Sequence, residues 1–324
     1  MTTGTMRMMM GAAAAAALAA AHPAEAQRQV NERQATGATG MVEITVPAGA
    51  VRVTGWSRNE VQVTGHLSRS TDRVQISGGR GSMEVEVVSG SGRPGNATLT
   101  VHVPAGKSVE VQTSGGPVHV TGITGDVEAV NRGGPLTVEG SPRDVELTST
   151  GGPVTVNATA RSVSVNSTGG PVTIGGTVRG LAEVNAMSGP VTVTAAAERV
   201  EINALSGPVR ITNAGGPVEV ASVSGPVYLA GRRLSGSIEN VSGGVVVEGT
   251  LGGGLSVESH SGDVELRLPA GTAADVDVTT YSGGFRSDFG AGRRDGNERH
   301  LRLGRGGMEL SITTFSGNVK LTRR

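Results

Sequence analysis

Residues 152–174 read Gly-Pro-Val-Thr-Val-Asn-Ala-Thr-Ala-Arg-Ser-Val-Ser-Val-Asn-Ser-Thr-Gly-Gly-Pro-Val-Thr-Ile, so the Gly-Pro-Val-Thr phrase returns after eighteen residues. The same turn occurs at Gly116-Pro117, Gly134-Pro135, Gly152-Pro153, Gly170-Pro171, Gly189-Pro190, Gly207-Pro208 and Gly225-Pro226, with prolines spaced 18, 18, 18, 19, 18 and 18 residues apart. A weaker copy lies about nine residues on, as in Arg143-Asp144-Val145 and Arg161-Ser162-Val163. Each half-repeat is a turn followed by apolar-x-apolar, as in Val154-Thr155-Val156 and Val145-Glu146-Leu147. Alternation of β-branched residues at period two marks half-buried strands. A fixed period of this length marks a stacked repeat architecture.

These features predict an all-β chain folded as a parallel β-solenoid, β-helix-like, with coils of about 18 residues and two strands per coil. The period leaves the hand of the coil open. Glycine is expected to supply unusual backbone angles at the turns. Proline is expected to set strand entry where its missing N–H costs no ladder bond. Thr194 to Glu198, locally a good helix former, is expected to be a corner, because a helix would break the register on both sides.

Composition agrees with a repetitive core. The 324 residues include 52 glycines and only six aromatic residues, and thin layers of Val and Ile can fill a coil without aromatic volume. The 28 basic and 28 acidic side chains cancel, so no global field steers the chain to nucleic acid. Arg7, the apolar run Met8 to Ala21 and Ala24-Glu25-Ala26 read as a signal peptide over residues 1–26, with a mature start at Gln27 and an exported, periplasmic or extracellular location. No later stretch has the length of a transmembrane span, and without cysteine there is neither disulfide nor thiol chemistry. The mature chain then divides into an N-terminal capping region (27–112), regular repeats (113–267) and irregular C-terminal coils (268–324) with a basic loop at 286–305.

Stacking would turn the period into surface columns. Thr137, Thr155, Thr173 and Thr192 form one, continued by Arg210 and Tyr228. Glu128, Glu146, Ser164, Glu183 and Glu201 form another, with Arg143, Arg161 and Arg179 expected to offset it. Asn166, Asn185 and Asn203 align in a third, where stacked amides would hydrogen-bond along the coils. Met187, Leu205, Val223 and Val241, followed by His260, Tyr281 and Phe315, are expected to pack or cap the coils, the aromatics closing the C-terminal end.

The residues offer no catalytic constellation: no histidine pair at metal-ligand spacing, no nucleophile elbow and no P-loop. No cofactor is expected. Thr137, Thr155, Thr173 and Thr192, with Arg293, Arg294 and Arg299 of the basic loop, are the candidate surface contacts.

Val42-Glu43-Ile44, Val51-Arg52-Val53-Thr54-Gly55-Trp56 and the recurrent Ser-Gly-Pro/Asp-Val turns, through Ser316-Gly317-Asn318-Val319, resemble the bacterial DUF4097 family of adhesin-like β-repeat proteins. That resemblance implies an exported or membrane-associated β-solenoid with an adhesive or scaffold role and no catalytic residues to transfer. The expected function is therefore non-enzymatic, with a glycan or an envelope protein as surface ligand, the chain acting as a monomer or an end-to-end oligomer. A carbohydrate-active β-helix enzyme and a self-assembling envelope protein are the competing readings.

Overall fold

The structure is a computed structural model and describes residues 28–69, 72–89 and 95–324; the expected signal segment lies outside them. Among the described residues the chain forms 28 strands and no helix. Through the middle of the chain, strands pair in parallel with their counterparts one repeat away. Asp144–Ser149 lies between Val127–Asn131 and Ser162–Ser167, with Val145 opposite Val127 and Val163. On the second side of the repeat, Val154–Ala160 lies between Leu136–Gly140 and Val172–Ala186, with Val154 opposite Leu136 and Val172. The expected all-β, parallel character is thus present. Apolar residues point inward in both series and are almost wholly buried, as at Val145, Leu147, Val154 and Val156.

The two turns of the repeat are not equivalent. At the Gly-Pro turn the strand breaks, and the carbonyl of each proline accepts a hydrogen bond from the repeat before it: Leu136 N donates to Pro153 O at 2.9 Å and Val154 N to Pro171 O at 2.9 Å. Each proline stands just before its strand, as Pro135 before Leu136–Gly140 and Pro153 before Val154–Ala160, so its missing N–H is not a ladder donor. At the other turn the chain stays extended. Val172–Ala186, Val227–Ser242 and Val245–Ser261 run through it as single strands, with register shifts marking the bend. Two separate strands per repeat is accordingly corrected for these parts. The expected corner at Thr194 to Glu198 is shorter than that span: the chain forms no helix and bends at Thr194 and Ala195, between Val191–Val193 and Ala196–Ser206, and Ala196 and Ala197 already pair with Thr177 and Val178. Ala195 and Ala197 turn inward there and are buried, so small apolar side chains fill the narrow bend.

Glycine serves close approach at every Gly-Pro turn, and at Gly116, Gly189, Gly207 and Gly225 it also supplies a positive φ. A Cβ on Gly134 would lie 2.0 Å from Gly116 O, one on Gly152 1.9 Å from Gly134 O, and one on Gly170 2.1 Å from Gly152 O. None of these three has a positive φ, which corrects the expectation that unusual angles select them; Gly189 and Gly207, with φ of 101° and 122°, do meet it. The result is a spine of glycines, each occupying the space a side chain would need beneath the next.

Both ends depart from chain order. Met41–Val46 lies between Ser82–Val88 and Ser108–Thr113, so the first repeat is not the outermost. Antiparallel strands lie beyond it: Arg73–Gly78 on Ser82–Val88, and Glu60–Leu67 followed by Arg28–Ala35 on Ala97–Pro104. Lys107 is fully buried near this end. Its Nζ donates to the carbonyls of Thr39, Arg80 and Gly81 at 2.9, 3.2 and 3.3 Å, and burial pushes the ammonium below its ordinary pKa.

At the other end Glu309–Ser316 inserts between Val245–Ser261 and Ala274–Ser282. Val319–Arg323 likewise inserts between Val264–Leu268 and Phe285–Ser287. The expected basic loop at 286–305 contains a hairpin, in which Arg293–Asp295 pairs with Glu298–Leu303. The latter covers the outer edge of Ala274–Ser282 in antiparallel fashion.

Candidate functional site

An open groove of about 880 Å³ runs across successive strands. Three adjacent positions of the repeat build it. Asn166, Asn185, Asn203, Ala221, Glu239 and Glu258 form one wall, each in register with the next. Ser167, Ala186, Ala204, Ser222, Asn240 and Ser259 form the buried floor. Met187, Leu205, Val223 and Val241, then His260, Phe315 and Tyr281, form the other wall.

The apolar wall is exposed to solvent. Met187, Leu205, Val223, Val241, Tyr281 and Phe315 are 45% to 60% exposed, and among the described residues only Met41 joins them as an exposed large hydrophobic side chain. The expectation that this column packs the coils is therefore corrected. Its residues project from the turn, outside the layer filled by the buried floor. The aromatics stack in spatial order, not chain order: the His260 ring lies 5.1 Å from that of Phe315 and nearly parallel to it, and Tyr281 lies 5.8 Å from Phe315 on the far side. Phe315 reaches the middle because its strand is the inserted one.

Turn chemistry does not require this apolarity. The equivalent positions in earlier repeats are Arg132, Thr150 and Thr168, each followed by Gly-Gly-Pro. From Met187 onward the formula becomes apolar-Ser-Gly, and the turn glycine takes a positive φ, as in Gly189, Gly207 and Gly225. The floor changes with it in the first two of these repeats, and Asn240 restores a donor to the turn carbonyl of Gly243 in the fourth. Ser149 and Ser167 hydroxyls donate to the turn carbonyls of Gly152 and Gly170 at 2.9 and 3.2 Å, whereas Ala186 and Ala204 have nothing to donate.

The polar wall begins as an amide ladder: Asn185 Nδ2 donates to Asn166 Oδ1 at 3.1 Å, and Asn203 Nδ2 to Asn185 Oδ1 at 3.0 Å. It ends in Glu239 and Glu258, neighbours in register that have no ion-pair partner among the described residues. No lysine or arginine lines the groove.

The other predicted columns lie elsewhere. Thr137, Thr155, Thr173 and Thr192 are in register on the outside of the second series, leading to Arg210, whose guanidinium sits 4.4 Å from the Tyr228 ring. Arg293 and Arg294 are exposed on the C-terminal hairpin, and Arg299 lies over Phe285 at 5.3 Å. The predicted turn prolines are exposed at their corner, and Gly134, Gly152 and Gly170 are buried beneath them.

The glutamate column is longer than its repeat suggests, because the interleaved N-terminal strands extend it. Glu84, Glu43, Glu110, Glu128 and Glu146 are successive register partners. Arg143 and Arg161 do not offset these carboxylates by direct pairing. They make bidentate pairs with Asp126 and Asp144, and the Arg161 bonds, then that from Ser162, hold the Asp144 carboxyl below its usual range. Partial burial, then the Glu110 and Glu146 charges on either side, hold the Glu128 carboxyl above its usual range. A raised acid pKa means that the folded chain binds this proton more readily than the unfolded chain. The cost is therefore present above the folded pKa and relieved as pH falls through it. Glu128→Gln should stabilise the chain at neutral pH by roughly 0.5 kcal/mol after allowance for solvent screening, read as a small rise in melting temperature. Thermal melts at neutral and acid pH check this: the gain should shrink on acidification, and no gain at neutral pH would contradict it.

Among the described residues no group of three or more His, Asp or Glu side chains is placed to hold a metal, and no helix is long and apolar enough to cross a membrane. Three solved structures cover most of the chain at low identity. A candidate adhesin from Bacteroides fragilis is 11% identical, with 91% of this chain and 97% of that one covered and a TM-score of 0.38. A candidate lipid-binding protein from Parabacteroides distasonis is 11% identical, with coverages of 90% and 96% and a TM-score of 0.37. A candidate adhesin from the same organism is 10% identical, with coverages of 90% and 97% and a TM-score of 0.31. No curated protein matches the chain. The family match is extensive, running from residue 39 to residue 322, and by it the chain belongs to the Toastrack DUF4097 family.

Proposed function

We propose that this chain is an exported, non-enzymatic, adhesin-like scaffold that binds a partner along the grooved face of a flattened β-solenoid. In this reading each coil is about 18 residues, residues 27–112 and 268–324 close the two ends, and the regular repeats between them carry the surface. The single observation behind it is the exposed apolar wall: Met187, Leu205, Val223 and Val241 occupy positions that earlier repeats fill with Arg or Thr, so their apolarity has no structural cause in the turn. Contiguous exposed apolar side chains rimmed by polar ones mark interaction surfaces.

A glycan or an envelope protein remains the ligand class, and the threonine column and the hairpin arginines are secondary contacts. The antiparallel strands beyond the N-terminal repeats and over Ala274–Ser282 favour a monomer, since they replace most of the parallel edge that an end-to-end copy would extend. The test is a combined glycan-array and cell-binding screen of residues 27–324 beside a Leu205→Asp/Val223→Asp variant. Binding by the native chain and at least tenfold weaker binding by the variant is expected. Silence of the native chain on both panels would remove the adhesive reading.

A further inference from the structure

The groove has a definite chemistry, and on the reading above that this face binds a partner, it also selects the partner's form. The strands that carry Asn166 to His260 across the groove are paired on both sides; Leu255 to Ser261, for example, pairs with Gly236 to Ser242 and with Leu310 to Ser316. Along that stretch of the described residues no sheet edge is open to receive an added strand. An extended peptide laid here would desolvate its own N–H and C=O groups without replacement, which is costly. An α-helix satisfies its backbone internally and brings only side chains to the contact.

Spacing points the same way. Successive strands lie about 4.8 Å apart, close to the 5.4 Å helical pitch of about 3.6 residues, so each turn of a helix meets roughly one apolar side chain of the wall. An extended peptide repeats its same-face side chains every ~6.8 Å and falls out of step within two strands. From Met187 to Tyr281 the wall spans seven neighbouring positions, roughly 29 Å, the length of a helix of about 19 residues.

Charge sets the remaining feature. Glu239 and Glu258 are adjacent, exposed and without a cationic partner among the described residues, and no Lys or Arg lines the groove. An anionic membrane surface is repelled by such a wall. Cations one helical turn apart would face the two carboxylates together. The apolar side chains also stand out from the surface and do not enclose a tunnel, so an acyl chain would remain wetted along one side.

We propose that the groove docks a basic amphipathic α-helix of a partner protein, its apolar stripe on Met187, Leu205, Val223 and Val241 and its Lys or Arg residues against Glu239 and Glu258.

The probe is a labelled synthetic peptide of about 18 residues with Leu at i, i+3, i+4 and i+7 and Lys elsewhere, titrated against the full chain by fluorescence anisotropy. A scrambled peptide of the same composition is the control. The helical peptide should bind at least tenfold more tightly than the scrambled one. Leu205→Ser/Val223→Ser should weaken it at least tenfold, and Glu239→Gln/Glu258→Gln should weaken it severalfold and flatten its salt dependence. Thr155→Ala, on the other series of strands, should change nothing. All substituted side chains are exposed or half-exposed, and unchanged thermal melts would show that the variants fold. Equal binding of the scrambled peptide, or binding indifferent to the serine variant, overturns the proposal. So does binding of phosphatidylcholine vesicles that the serine variant abolishes while the peptide stays unbound, an outcome that assigns the groove to lipid. Cell or glycan binding that persists while the peptide is silent overturns this inference alone and leaves the adhesive reading intact.

Discussion

Gly152→Ala is expected to destabilise the chain by about 3 kcal/mol or more, although it adds a single methyl group. The new Cβ would lie 1.9 Å from the carbonyl oxygen of Gly134 and 2.4 Å from its carbonyl carbon. Both are backbone atoms, so no side-chain rotation relieves the contact. Shifting Gly134 in turn presses on Gly116, whose oxygen already lies 2.0 Å from the Cβ position of Gly134. The strain is thus passed from one repeat to the next and cannot be absorbed locally. Gly151→Ala is the matched comparison: its Cβ would meet only Arg132 O, at 3.3 Å, and a change within about 1 kcal/mol is expected. Urea denaturation of the two variants separates the effects. A Gly152→Ala midpoint equal to that of the native chain would show that the turns are not packed backbone to backbone.

Removal of residues 309–324 is expected to unfold far more than the sixteen residues deleted. Leu310, Ile312, Val319 and Leu321 are buried, and their strands separate Val245–Ser261 and Val264–Leu268 from Ala274–Ser282 and Phe285–Ser287. Without them the latter two strands lose their parallel neighbours, and the hairpin that covers Ala274–Ser282 loses its support. Because each strand pair contacts chiefly its nearest neighbours, the damage should stop there. Native-state hydrogen exchange should show protection lost over residues 274–303 and retained over 118–249. If the coils followed chain order, the same truncation would strip only the outermost layer and leave 274–287 protected. The Phe315 ring would also go, breaking the His260–Phe315–Tyr281 stack and shortening the groove.

Much of the middle of the molecule is legible in particular residues. Val154-Thr155-Val156 and Val172-Thr173-Ile174 are eighteen residues apart and pair residue for residue, because a period-two strand in parallel register must place like on like. The asparagine column is legible for the same reason, and its amides do bond along the stack. The reason for the glycines is only half legible. Sequence shows that a side chain is refused at Gly134, Gly152 and Gly170, but whether by dihedral angle or by a neighbouring carbonyl depends on the distance between repeats. Two of the groove's three positions, the asparagine column and the column from Met187 to Phe315, are legible as columns, but only the change from Thr168-Gly169-Gly170 to Met187-Ser188-Gly189 hints that they face each other across a groove. That the methionine projects outward follows from the turn geometry, and no local pattern reports it.

Over the regular repeats the amino-acid sequence by itself indicates the strands, the inward face of the core and, because residues eighteen apart match in detail, their parallel register. Tertiary structure alone decides the order of the ends. Met41–Val46 and Glu309–Ser316 have the same inward pattern as any other strand, so hydrophobic alternation fits them equally well at the edge or one layer in. The choice is made by which neighbours remain to cover the final edges. Here antiparallel strands from the chain's own intervening segments do so, which draws both terminal repeats inside and brings Phe315 between His260 and Tyr281.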